Sequence, residues 1–153
     1  MSIDEIIDVV TGLGGVLAYR PVAGDGSPEI SWGDTFFYYA PDGQVPTTTQ
    51  PFATIVTKDY PGDERSHLNR PGTFRLNVFA GKDVFTARTG VRPRDAGVLE
   101  ADPSVADRVF PHPVYGTLGW LSVVNPGRGT DADVRELLVQ AHELVRSRYR
   151  SAH

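Results

Sequence analysis

Three strand-like segments follow one another with no helix-length pattern between them: TFFYYA (35–40), FATIVTK (52–58) and FRLNVFA (74–80). Their aromatic and β-branched residues suit a pleated surface. Parallel neighbours would need crossovers of a dozen or more residues, usually helical. The connections here are an Asp42-Gly43 turn with the tract VPTTTQP (45–51), itself a loop or a lead-in to the next strand, and then a polar loop. Neither carries a helical period, so the strands are expected to be antiparallel.

The flanks complete the pattern. Ser2 and Glu5 have the spacing of a capping box. Ile3, Ile6, Ile7 and Val10 form one stripe, which predicts a helix over residues 3–12 ended by Gly12, Gly14 and Gly15. These glycines follow a helix and lack the full dinucleotide fingerprint, so they are not read as a phosphate loop. VLAYRPV (16–22) reads as the first strand, and Ile30 to Trp32 as a brief pairing within a turn-rich stretch. Short helices are expected over 82–89 and over 103–110, the latter opened by Asp102 as N-cap with Pro103 in its first turn, with an irregular segment at 91–103 between them. A last strand runs from about Thr117 to Val124 and ends at Asn125-Pro126-Gly127. In the segment 131–150, Val134, Leu137, Leu138, Ala141, Leu144 and Val145 recur at spacings of three and four, the strongest helical pattern of the chain. The expected fold is α+β: a single antiparallel sheet of four to six strands, flanked by an N-terminal and a long C-terminal helix. One domain is expected over residues 1–150, with 151–153 as a tail.

Composition removes several classes of function. The 153 residues contain no cysteine, which excludes disulfides, thiolate metal sites and a cysteine nucleophile. Their net charge of −4 argues against broad electrostatic binding to nucleic acid. Of the 15 basic residues only Lys58 and Lys82 are lysine, a bias that fits a GC-rich genome or a use of arginine for bidentate anion contacts. The start, MSIDEIID, is acidic and has no basic stretch before an apolar run, so no signal peptide is expected. No stretch reaches the ~20 apolar residues of a membrane span. A cytoplasmic protein without membrane association is the expectation. The four histidines and scattered acids show no metal-ligand spacing, so neither a metal nor another cofactor is expected. No GxSxG nucleophile elbow is present.

Two resemblances can be placed on quoted residues. Gly119-Trp120-Leu121-Ser122-Val123 followed by LLVQAHELV (137–145) resembles the Trp-containing strand, turn and closing helix of the MmcQ/YjbR family. That implies a YjbR-like fold, and the family is often labelled DNA-binding. WGDTFFYYAPDG, PFATIVTKDYPGD, LNRPGTFRLNV and HPVYGTLGWLSVVNPG together resemble an uncharacterised actinobacterial family, the domain of unknown function 6194, over nearly the whole chain. This second resemblance implies no activity.

The residues that could form a site lie around YPGDERSHLNRPGT (60–73), a loop long enough to be functional. His67 and Asn69 sit in it. Alternation along 74–80 sends Arg75 and Asn77 away from Phe74, Leu76 and Val78. His112 and Tyr115 mark the entry to the Trp120 strand. If the two turns share one end of the sheet, His67, Asn69, Arg75, His112 and Tyr115 converge within one pocket's width. His67 or His112 would then be a general base, and Arg75 with Asn69, Asn77 and Tyr115 would hold an anionic or carbonyl-bearing ligand. The plainer reading is solvated loop histidines and an Arg–Asn pair that steadies a loop. His142, beside the apolar stripe, reads as a packing residue. Trp120 is expected to be a buried anchor between the last strand and the last helix. Phe36 and Tyr38 fall on one face of their strand, Phe37 and Tyr39 on the other, so either both faces are covered or one is a stacking surface for a planar molecule. The function expected first is a module binding a small ligand, a protein partner or a second copy of itself as a homodimer. A small-molecule enzyme using His67 or His112, in the setting of secondary metabolism, is the alternative, and DNA binding is third.

Overall fold

The computed structural model describes residues 1–153. Helix α1 (Ile3–Thr11) is followed by strands β1 (Val16–Tyr19), β2 (Thr35–Tyr39), β3 (Ala53–Val56) and β4 (Arg75–Phe79), then helix α2 (Gly81–Thr89), strands β5 (Val109–Pro111) and β6 (Trp120–Val124), and helix α3 (Asp131–Ala152). The six strands form one sheet in the order β1-β2-β3-β4-β6-β5, and every neighbouring pair is antiparallel. The expected α+β fold, with one antiparallel sheet and helices at both ends of the chain, is therefore observed.

The local chemistry is that of the sequence pattern. The Ser2 hydroxyl accepts the Glu5 backbone N–H, and the Glu5 carboxylate accepts that of Ser2, closing the capping box of α1. Ile6 and Val10 of α1, Phe85 of α2, and Val134, Leu137, Leu138 and Ala141 of α3 all bury against Phe37, Ile55, Leu76, Val78, Leu121 and Val123. The three helices thus share one face of the sheet. The other face carries Arg75, Asn77, Ser122 and Val124 beside Thr54, Phe36 and Tyr38. Over its Arg75 end lies the 57–73 loop, where Leu68 packs on Val56, Phe110 and Val124. Phe37 is fully buried, while Phe36 and Tyr38 are half-buried on the helix-free face.

Three local expectations need correction. No helix spans 103–110. Asp102 accepts the backbone N–H and hydroxyl of Ser104 in a turn, and the chain then enters β5, where Val109 pairs with Val123. Asp107 sets this path: at φ 58° it accepts the N–H groups of Gly127 and Gly129 and the Thr130 hydroxyl, and these long-range bonds override local helix propensity. Ile30 lies in a single 3₁₀ turn, Glu29–Ser31, and pairs with no strand. The stretch expected to start a strand at Thr117 is instead a 3₁₀ turn, Gly116–Leu118.

One mismatch of lengths shapes the molecule. The 22 residues of α3 measure about 33 Å at ~1.5 Å per residue, against about 17 Å for a five-residue strand. Helix α3 runs antiparallel to β6, so its C-terminal turns overhang the end of the sheet where β2 and β4 stop and β3 and β6 begin.

Candidate functional site

Strand alternation brings part of the expected polar site together. Arg75 is 1% exposed, and its guanidinium lies over Asn77. Its Nε–H donates to Asn77 Oδ1 at 2.8 Å. Nη1 donates to Asp63 Oδ1 and Ser66 Oγ, both at 3.0 Å, and Nη2 to Asp63 Oδ2 at 2.5 Å. Nη2 also lies 3.0 Å from Nε2 of His112. Four of the five guanidinium N–H groups thus donate to Asn77, Asp63 and Ser66, and the fifth is shut in against the His112 ring, so none is turned to a ligand. Asn77 is equally committed: its amide donates to Thr54 Oγ1 while its oxygen also accepts the Ser122 hydroxyl.

His112 closes this centre. Its Nδ1 accepts the backbone N–H groups of both Val114 and Tyr115 at 3.0 Å, so the proton of the neutral ring sits on Nε2, beside Arg75 Nη2 at 3.0 Å and Asp63 Oδ2 at 3.7 Å. Burial and the neighbouring Arg75 charge lower its pKa to about 3, against the opposing pull of Asp63. Asp63 itself is held below the usual carboxylate range: burial opposes the shift, and the hydrogen bonds and charge of Arg75 outweigh it. Tyr115 is half-exposed and packs its ring 4.9 Å from that of His112. The loop tip turns elsewhere. His67 is exposed at φ 53°, and its carbonyl accepts Arg70 Nε–H. Asn69 Oδ1 accepts the Asp59 N–H. Arg75, Asn77, His112 and Tyr115 are together; Ser122 joins them from β6, opposite Asn77, and Asp63 and Ser66 from loop positions that carry no periodic signal. A buried strand arginine, which demands a carboxylate, was the available clue to Asp63.

A second polar centre lies at Asp34, which is fully buried. Its carboxylate accepts the Thr57 N–H and hydroxyl, the Lys58 ammonium at 2.9 Å and the Tyr60 hydroxyl. Burial and that last bond raise the Tyr60 pKa. Lys58 also donates to the Trp32 carbonyl. Both centres tie the 57–73 loop to the sheet, and both are satisfied by their own members.

The open space of the molecule is at the overhang of α3. A cleft of about 870 Å³ lies between the strand ends, the last two turns of α3 and residues 40–52. Its walls include Tyr39 from β2, Phe79 from β4, Trp120 from β6 and Tyr149 from α3. Phe79 and Trp120 have ring centroids 5.8 Å apart, and Tyr39 meets Tyr149 edge-on at 5.2 Å. The Tyr39 ring is seated against Gly15, where a Cβ would come 2.8 Å from the ring and where φ is +68°, so glycine is required on both counts. His142 backs this wall, with Nε2 donating to the Gly14 carbonyl at 2.7 Å and its ring edge-on to Tyr39 and Phe52. The packing role read for His142 agrees with this. Trp120 departs from expectation: its register with Phe79 places it away from the core face, and it is half-exposed in the cleft. The cleft itself could not be read from the sequence, since its walls come from four separated segments. Its one signal was a final helix too long for the strands.

No group of three or more histidine, aspartate or glutamate side chains is placed to hold a metal ion, and no helix is long and apolar enough to cross a membrane. The whole chain, residues 1–153, matches a family of unknown function, DUF6194. No curated protein and no solved structure matches it.

Proposed function

We propose that this chain, which belongs to the DUF6194 family, is a small-ligand-binding module whose ligand lies in the aromatic cleft at the end of the sheet. The observation that carries the reading is the cleft's construction. It has the volume of an ordinary ligand site, and its walls present Tyr39, Phe79, Trp120 and Tyr149, large flat side chains that gain by covering a flat ligand. The polar centre at Arg75 supports the cleft from the side. Backbone N–H of His112 donates to the Trp120 carbonyl at 3.0 Å, so the closed network fixes the start of the strand that carries Trp120. Acid–base chemistry at His112 gains no support, because its Nδ1 lone pair is taken by two backbone N–H groups and its protonated form is suppressed.

The test uses a neutral planar probe, N-phenyl-1-naphthylamine, whose fluorescence rises in apolar surroundings. Saturable binding is expected, with quenching of Trp120 emission in a variant whose other tryptophan is removed by Trp32→Phe. Leu118 lines the cleft and is 65% exposed, so Leu118→Asp puts a charge there without disturbing the core. It should weaken binding about tenfold, the effect of ~1.4 kcal/mol. An unchanged affinity in Leu118→Asp would remove the cleft from consideration.

A further inference from the structure

The cleft has a cation that nothing inside the chain neutralises. The acids of α3 are used elsewhere: Asp131 pairs with Arg135, Glu143 with Arg146, and Asp133 and Glu136 with Arg88 of α2. Arg148 is in none of these pairs, and the positions three and four residues to either side of it are Val145, Leu144, Ser151 and Ala152, none of them acidic. Its guanidinium carbon instead lies 5.4 Å from the centroid of the Phe79 ring, inside the cleft wall. Stacking on Phe79 holds the group in place while leaving its N–H edge free, the geometry in which arginine receives a carboxylate or sulfonate. The opposite wall adds the exposed hydroxyls of Thr47, Thr48 and Thr49 and the amide of Gln50. One acid, Asp42, also lines the cleft; its Oδ1 accepts the Gln44 backbone N–H, and it forms no ion pair with Arg148. The negative end of the α3 dipole opposes an anion here, but it amounts to about half a charge against the full charge of Arg148.

We propose that the ligand of the cleft is a flat aromatic molecule bearing an anionic group, its rings against Trp120 and Tyr149 and its anion on Arg148. This deepens the cleft-binding reading and rests on it. Arg148 sets the preference for charge, and the aromatic walls set the affinity for the ring system.

The experiment compares two probes that share a ring system: 8-anilinonaphthalene-1-sulfonate and the neutral N-phenyl-1-naphthylamine. Both are titrated into the full chain, Arg148→Gln and Arg148→Lys, at low and at high salt. The wild-type chain should bind the sulfonate about two- to fivefold more tightly than the neutral probe, the range of an exposed charge pair. That preference should shrink with salt. It should vanish in Arg148→Gln and survive in part in Arg148→Lys, with the neutral probe bound similarly by all three. Because Arg148 is exposed, folding is not at stake. Equal binding of the two probes by the wild-type chain, or a sulfonate preference undiminished in Arg148→Gln, overturns the anion assignment and leaves the cleft reading standing. Failure of both probes to bind overturns the two together.

Discussion

Arg75 shows how much of a site one residue's position reveals. Alternation along β4 sends it away from Leu76 and Val78, and so it lies. Of its partners, His112 was among the residues expected near it, whereas Asp63 and Ser66 were not legible, because they converge on it through loop geometry that has no period. The same convergence makes His112 a titrating group with a defined sign. Its folded pKa of about 3 lies below the unfolded value near 6.5. Above pH 6.5 neither state holds the proton. As the pH falls from 6.5 towards 3, the unfolded chain takes up a proton that the fold refuses, so stability is lost by up to about 1.4 kcal/mol per pH unit. The Asp63 contribution is present above its unfolded value of 3.8 and is lost only below it, as the pH falls through the lowered folded value. Between pH 6.5 and 4.5 the His112 slope should therefore be visible on its own. NMR of the His112 ring should show a neutral imidazole throughout that range, and urea midpoints of His112→Gln should fall less steeply with acid than those of wild type. A ring titrating near pH 6.5 would show that the Arg75 centre is open to solvent.

At the scale of elements, the helices at both ends, the first four strands and the short helix α2 were legible, while β5 and the 3₁₀ turns at Glu29–Ser31 and Gly116–Leu118 were not. Helix α3 was readable because its apolar stripe repeats over several turns, and Leu138 is fully buried as that stripe requires. Leu138→Ala should cost ~2–5 kcal/mol in chemical denaturation, the loss of transfer energy plus an unfilled cavity. A loss below about 1 kcal/mol would mean that α3 does not pack on the sheet as described. Strand β5 was missed because three residues cannot display a period of two, and because Asp102-Pro103 imitates a helix start. Its position depends on β6 and on Asp107, whose carboxylate collects the loop before α3. Trp120 was misplaced for a related reason: the pattern of 117–124 gives no register, and the pairing of Phe79 with Trp120 decides which side the indole takes.

For the whole molecule, the three helices cover one face of the sheet, and two buried polar centres clamp a loop over part of the other. The antiparallel order followed from the missing crossovers, whereas the cleft depends on where the overhang of α3 meets the strand ends and residues 40–52, a placement visible only after assembly. Two aromatic surfaces remain accessible: the cleft, and the helix-free stretch of Leu17, Tyr19, Phe36 and Tyr38, where Tyr19 and Phe36 have ring centroids 6.3 Å apart. The cleft is lined by the strand ends, α3 and residues 40–52, and Arg148 lies in its wall without an acidic partner, so the proposed ligand is placed there. The direct measurement is a set of intermolecular NOEs between bound N-phenyl-1-naphthylamine and the isotope-labelled chain. The account predicts contacts from the probe to Phe79, Trp120, Tyr149 and Val145. Contacts confined to Leu17, Tyr19, Phe36 and Tyr38 would contradict it.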